Sequence, residues 1–374
     1  MRRAIILALG TSLCAFGIAN ATAEPQEQSA AKPPSSKSAT SWTSPKNAFG
    51  QPDLTGSWNN ATLTPLTRDR KLGDKPALTA VEARSKEAAF AEGLAQRDAQ
   101  VTDPNSLPGN AEDKAKDAKL IATRADFGPA GGAVGGYNTY WLDPGNHFVE
   151  VNGEFRTSIL TTTDGQAPAR RAGAPKPAGG AQFRDVYDNY EDRVLGERCI
   201  IGFGRNAGPP MLPNGYYNNN YQIVQTADSV VIDVEMIHDV RIVRLNAKHR
   251  ADDVRPWMGD AIGRYDGDTL VVETTNIPEA QNFMGSWKKL KVTEYFTRIS
   301  DTKILYRFQI EDPDFWEKPW GGEYTFQVLN GQLYEYACHE GNYALPGILG
   351  GARNLERKAS EAKSTTASGQ QRPR

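Results

Sequence analysis

The absences in this sequence narrow its function before any motif is considered. Of 374 residues only three are cysteine and four are histidine, too few for a disulfide-dense scaffold or a histidine-rich metal store. Lys+Arg 43 against Asp+Glu 45 leaves a formal charge of −2, so the basic excess of a nucleic-acid binder is missing. There is no HxH or HExxH spacing for zinc and no G-x-S-x-G elbow for a serine nucleophile. Strands and helices do not alternate, which excludes a doubly wound nucleotide fold. Two glycine clusters do not restore one. Residues 202–208 run into Pro209 and Pro210 where an anion-binding helix would start, and residues 129–136 lack the lysine and serine of a phosphate loop. No organic cofactor is expected. A metal on two histidines and a carboxylate is the weaker alternative to a metal-free site.

Long apolar runs are also scarce. The one candidate opens the chain: Arg2 and Arg3, an apolar stretch over 4–18, then Ala21-Thr22-Ala23. It is too short and too interrupted to span a bilayer, and it reads as a secretory signal peptide over 1–23. The expected protein is therefore periplasmic or secreted, without membrane insertion. Cys14 would leave with the signal, so Cys199 and Cys338 remain. In an oxidising compartment they are expected to form one disulfide, the competing reading being a Cys338 thiolate activated by neighbouring His339.

What is present is a β-rich chain with 39% apolar residues, enough for a buried core. Residues 24–49 and 357–374 are polar, Ala/Ser/Lys-rich tails expected to be disordered. Between them, residues 50–356 read as one domain, interrupted by a low-complexity loop over 165–181. One helix is expected near 79–100, because Thr79 and Glu82 form a capping box ahead of good helix formers. A second, polar stretch over 111–122 is a weaker helix candidate. From about residue 133 the pattern alternates with period two. Asn152-Gly153 marks a hairpin, and strands are expected over 221–226, 229–235, 239–245, 268–276, 290–299, 303–310, 323–329 and 332–340. About ten short strands joined by tight turns must close or stack to hide their edges.

Several long phrases sharpen this: PDLTGSW (52–58), YYNNNYQIVQT (216–226), HDVRIV (238–243), RPWMGDAIGRYDGDTLVVETTN (255–276) and YEYACHEGNY (334–343). Through them the chain resembles, over most of residues 52–356, a family of exported bacterial proteins. The resemblance implies an antiparallel lipocalin-like β-barrel with a short helical N-terminal elaboration, Trp58 plugging its closed end. It carries over no activity and no catalytic residue.

The chemistry must come from the residues. His249 sits in a polar loop and is expected to be solvated; His147 follows an Asp-Pro-Gly-Asn turn and could be structural or functional. His238 and His339 each lie at an expected strand end beside acid, Asp239 and Glu340 respectively, the pairing that tunes imidazole for proton transfer. With Arg241 or Arg264 to hold an oxyanion, they form a candidate acid–base site at the mouth of a wet barrel. The bland reading makes both histidines ties for rim loops. Tyr217, Asn218, Asn220 and Tyr221, with Trp257, Trp316 and Trp320, offer aromatic faces and amides for a small polar-aromatic or carbohydrate-like ligand, or else pack the barrel corners. Glu294 is expected to face water. The functional expectation is a cofactor-free hydrolase, lyase or isomerase, the alternative being a non-catalytic binding protein.

Overall fold

The computed structural model describes residues 42–98, 142–174, 187–202, 207–214 and 217–369. The expected signal segment, the polar stretch over 111–122, and parts of the leader and of the 165–181 loop lie outside the described residues. None of the described helices is long and apolar enough to cross a membrane.

Nine strands close into a barrel: β1 (Gly56–Asn59), β5 (Asn220–Gln225), β6 (Ser229–Val234), β7 (Asp239–Leu245), β8 (Asp260–Asp266), β9 (Thr269–Thr275), β10 (Lys291–Ser300), β11 (Lys303–Glu311) and β12 (Trp320–Val328). Neighbours in sequence are neighbours in the wall, and β1 closes it between β12 and β5. Strict alternation drives this arrangement. In β6 and β11 every second residue is buried, so each strand has one face for a core and one for the outside. The single parallel pair, Arg244 opposite Ile262 and Leu245 opposite Gly263, joins β7 to β8. An otherwise antiparallel expectation is thereby corrected at one seam, because residues 246–259 carry the chain back to the end where β7 began.

The two ends of the barrel differ. At one, the connections are tight turns such as Asp266-Gly267-Asp268, where Gly267 has φ +59°. That end is closed by Trp58, whose indole N–H donates to the Leu54 carbonyl at 3.0 Å while the Arg298 guanidinium lies 5.6 Å from its ring. Longer loops, 276–290 and 312–319, gather at the other, where the crossing segment 246–259 also arrives.

A small sheet lies beside the barrel: β2 (Ala77–Leu78), β3 (Glu150–Val151) and β4 (Glu154–Arg156), in the order β2-β4-β3. Its hairpin turns at Asn152 and Gly153, with φ of +54° and +79°, the doubly left-handed turn that Asn-Gly favours. Helix α1 (Ala80–Asp98) begins on the expected capping box: the Glu82 amide donates to Thr79 Oγ1 at 3.2 Å and the Thr79 amide to Glu82 Oε2 at 2.8 Å.

Four sequence expectations need correction. Residues 332–340 form no strand, because β1 already occupies the free edge of β12. Helix α2 (Ala344–Gly369) runs through most of the segment expected to be a disordered tail; its Ala, Leu, Glu, Arg and Lys residues favour helix even without a packed face. The end of the leader is ordered, with Lys46 bridged to Pro52. Strand β8 went unrecognised, since Gly263 and the charged residues Asp260, Arg264 and Asp266 blur its alternation.

Candidate functional site

The barrel interior is filled. Tyr221, Phe296, Tyr306, Tyr324 and Phe326 are all buried and pack with ring centroids 5.0–6.4 Å apart. Among them lies a buried ion pair. Both side chains of Arg241 and Glu294 have 0% exposure, Nη1 donating to Glu294 Oε1 at 3.0 Å and Nη2 to Oε2. Tyr306 Oη donates to the same Oε1 at 2.8 Å. Burial opposes the Arg241 charge, but the Glu294 carboxylate outweighs it and holds the guanidinium pKa above its ordinary value. Asn60 donates to the hydroxyls of Tyr221 and Tyr324, and Tyr324 in turn donates to the Met211 carbonyl at 2.8 Å. Burial raises the phenol pKa of all three tyrosines.

This placement corrects two expectations. Glu294 faces the core rather than water, because even-numbered residues of β10 point inward. Arg241 is already neutralised there and is not an open oxyanion holder. Tyr221 likewise belongs to the core. Trp316 and Trp320, 2% and 4% exposed, are no ligand platform: they pack on each other at 5.3 Å and on Phe283 and Phe315.

The other sequence-selected residues are spread over the long-loop end and the outer wall. His238 is exposed at φ +47°, directly after Ile237 at φ +58°; a β-branched residue in that region marks local strain. His339 and Glu340 are exposed in the loop after Cys338. Cys338 forms a disulfide with Cys199, Cα atoms 5.8 Å apart, so the free-thiolate reading falls. Tyr217 stacks on Tyr336 at 6.5 Å, and Asn218 is half-buried at φ +53°. Asn220 joins the ends of three strands, accepting from Asn59 at 2.8 Å and donating to Glu235 at 2.6 Å. Arg264 is exposed on the outer face of β8. His249 is not simply solvated: it bridges Asp260 at 3.0 Å and Glu273 at 3.1 Å, pinning the 246–259 loop to the wall.

One acid of the sequence set has a perturbed environment. Asp239 is half-buried, and desolvation pushes its carboxyl pKa up to about 6 despite the Trp257 indole and His238. It lines a small pocket of about 60 Å³ with Gly202, Pro209, Met236, Gln281 and Phe283.

A larger space, about 650 Å³, lies outside the barrel. Its floor is the outer face of β1, β11 and β12, through Asn59, Lys303, Thr325 and Gln327; its walls are α1 and residues 142–148. Helix α1 presents Ala83, Glu87, Phe90 and Leu94 at helical spacing, and Leu94 and Glu87 reach the cleft beside Leu142, Phe148 and Phe155. The 142–148 loop lies close because Gly145 has φ +78° and no Cβ; a Cβ there would meet the Thr62 amide nitrogen at 2.5 Å. The loop delivers Asp143, whose carboxylate accepts from Asn59 at 2.5 Å, and His147.

His147 is the histidine that sequence reasoning left open. Its Nε2 is buried and has no hydrogen-bond partner among the described residues. Burial holds the ring below the ordinary imidazole pKa; Glu87 opposes that shift, Lys303 reinforces it and Asp143 opposes it. The sequence offered one signal for this site, a lone carboxylate, Glu87, in the apolar stripe of α1. Among the described residues no group of three or more His, Cys, Asp or Glu side chains is placed to hold a metal ion. Compared with protein-family models, curated proteins and solved structures, the chain gives no significant match to any.

Proposed function

We propose that this is a small-molecule binding protein whose ligand lies in the cleft on the outer wall of the barrel. The observation that carries this reading is the cleft itself: about 650 Å³, in which Leu94, Leu142, Phe148 and Phe155 lie among polar and charged groups including Arg84, Glu87, Asp143, Glu150 and Lys303. Small-molecule sites usually enclose about 300–1,000 Å³, and this cleft falls in that range with groups able to meet both apolar and charged parts of a ligand. The packed aromatic side chains of the lumen among the described residues support the same choice. Residues 1–23 act as the export signal in this reading. The Cys199–Cys338 disulfide suits an oxidising compartment, which fits a periplasmic or secreted location.

The test is to fill the cleft. Gln327 sits half-buried on its floor, and Gln327→Trp should abolish stoichiometric binding of the neutral fluorescent dye N-phenyl-1-naphthylamine while leaving the thermal transition in place. Undiminished dye binding in that variant, or no saturable binding in the parent protein, overturns the assignment.

A second reading, a cofactor-free hydrolase, lyase or isomerase at the long-loop end, is favoured by one observation. Asp239, with its carboxyl at about 6, borders a pocket, and a group titrating near neutral pH is suited to general acid–base work. In that case Asp239→Asn removes turnover and leaves dye binding in the cleft intact.

A further inference from the structure

The small pocket at the long-loop end carries a chemical preference of its own, independent of the outer cleft. It lies between residues 207–210, Met236 and residues 280–283, with a volume of about 60 Å³. One water-sized group needs about 10–15 Å³ of such space, so the pocket has room for about four heavy atoms. Among the described residues lining it, Asp239 is the single charged side chain. Its carboxyl is half-buried and has the Trp257 indole beside it but no ion-pair partner among the described residues. The donors of the wall are largely spent. Pro209 and Pro210 have no N–H, and the amides of Gln281, Asn282 and Phe283 donate to the carbonyls of Pro278, Glu279 and Ser286 at 3.0, 3.1 and 2.8 Å. Asn282 Nδ2 donates to the Glu279 carbonyl at 2.9 Å. Gln281 Nε2 donates to Met258 Sδ at 3.6 Å, which leaves Gln281 Oε1 without a donor among the described residues.

We propose that this pocket binds the ammonium end of a small primary alkylamine. The nitrogen donates to the Asp239 carboxylate and to Gln281 Oε1, and a chain of about three carbons, the length that the volume admits, lies against Pro209, Met236 and Phe283. An ammonium brings three N–H donors and the positive charge that Asp239 lacks. A carboxylate ligand meets the like charge of Asp239 and no cation in the described lining. An alcohol brings one donor and no charge, and charge-assisted hydrogen bonds are about twice as strong as neutral ones. Burial without a paired cation is also what raises the Asp239 carboxyl to about 6; an ammonium beside it restores the ionised form. Asp239 is here an anchor that stays ionised, which sets this site apart from an acid–base use of the same carboxyl.

Titration of the full chain at pH 7.5 with propylammonium chloride, 1-propanol and sodium butyrate, followed through the Trp257 indole N–H resonance, tests this directly. The three probes share a propyl chain and differ in the head group. Propylammonium should saturate one site and bind about tenfold more tightly than 1-propanol, the scale of a hydrogen bond to a charged group; butyrate should leave the resonance in place. Asp239→Asn keeps the side-chain volume and removes the charge, and should weaken propylammonium about tenfold. Ala280→Phe, at the exposed rim of the pocket, should block propylammonium with Asp239 intact. Both variants are checked for folding by the urea midpoint. Gln327→Trp fills the outer cleft and should leave propylammonium affinity unchanged, so failure of the amine site and failure of the cleft are read separately. No saturable response to propylammonium, equal affinity for 1-propanol, or saturable butyrate binding overturns the assignment. So does undiminished propylammonium affinity in Asp239→Asn or in Ala280→Phe, or its loss in Gln327→Trp.

Discussion

The lumen of the barrel and the cleft on its outer wall contain similar residue types and treat them in opposite ways. Inside, Arg241, Glu294, Asn60 and three tyrosines are tied into one network sealed by Met211. Outside, His147 and the side chains on β1, β11 and β12 surround open space. A buried charge in the lumen is tolerated because its partner is beside it, although Asn60 Oδ1 and Arg241 Nε there, like His147 Nε2 at the cleft, meet no hydrogen-bond partner among the described residues. The comparison separates polar groups that specify a fold from polar groups available to a ligand. Charge within a strand does not distinguish the two. Open space beside the group does.

The strongest way to break that comparison is to take one partner from the lumen. Glu294→Ala leaves the Arg241 guanidinium buried without its counter-charge. Breaking such a pair costs about 3–5 kcal/mol, read as a fall in the urea midpoint. The double variant Arg241→Met/Glu294→Leu removes both charges at similar volume and should recover most of the loss, since apolar replacement of a buried pair is often neutral or stabilising. If the double variant is as unstable as Glu294→Ala, the ion pair does more than fill the lumen.

Much of the fold was legible in the sequence. The alternation in β5–β7 and β9–β12 and the turn at Asn152-Gly153 are local signals, as is the Thr79–Glu82 capping box. They survive because tertiary packing agrees with them. Closure was legible only as a need to hide edges; that β1 fills the place beside β12 is a long-range pairing no local pattern announces. The site was less legible. Alternation within β7 places Arg241 on the face opposite Val240 and Ile242, but its partner lies on β10, 53 positions away. An unpaired ring nitrogen such as that of His147 has no sequence signature, because it is defined by what fails to approach it. Glu87 alone carried a trace, a carboxylate where the α1 stripe calls for an apolar side chain.

A smaller effect should separate the long-loop end from the cleft. The Asp239 carboxyl is raised from 3.8 to about 6, so the folded protein holds this proton more tightly than the unfolded chain does. Its contribution is complete below the unfolded value near 4 and is lost as pH rises through about 6. Allowing for solvent screening of a half-buried group, the loss is about 1 kcal/mol. Asp239→Asn should flatten this part of the stability profile between about pH 4 and 6.5, relative to the parent protein measured in parallel. His147 contributes with the opposite slope. Its pKa is lowered, so its stabilisation is present above the unfolded imidazole value and fades as the solution becomes acidic. The difference between parent and variant isolates Asp239, because both retain His147.

The smallest expected effect concerns the two histidines that adjacency to acid made most conspicuous in the sequence. The side chains of His238 and His339 are exposed and make no hydrogen bond or ion pair among the described residues, while their backbones bond Glu235 and Asn342. Removing an exposed side chain with no partners shifts stability by no more than about 0.5 kcal/mol. His238→Ala has one complication, since its left-handed φ of +47° is a strained conformation for alanine as well, and His238→Gly keeps that backbone without strain. Neither His238→Gly nor His339→Ala should alter dye binding in the cleft. Should His238→Gly weaken dye binding as much as Gln327→Trp does, ligand contact extends to the long-loop end and the contrast between a closed barrel and an open outer wall fails.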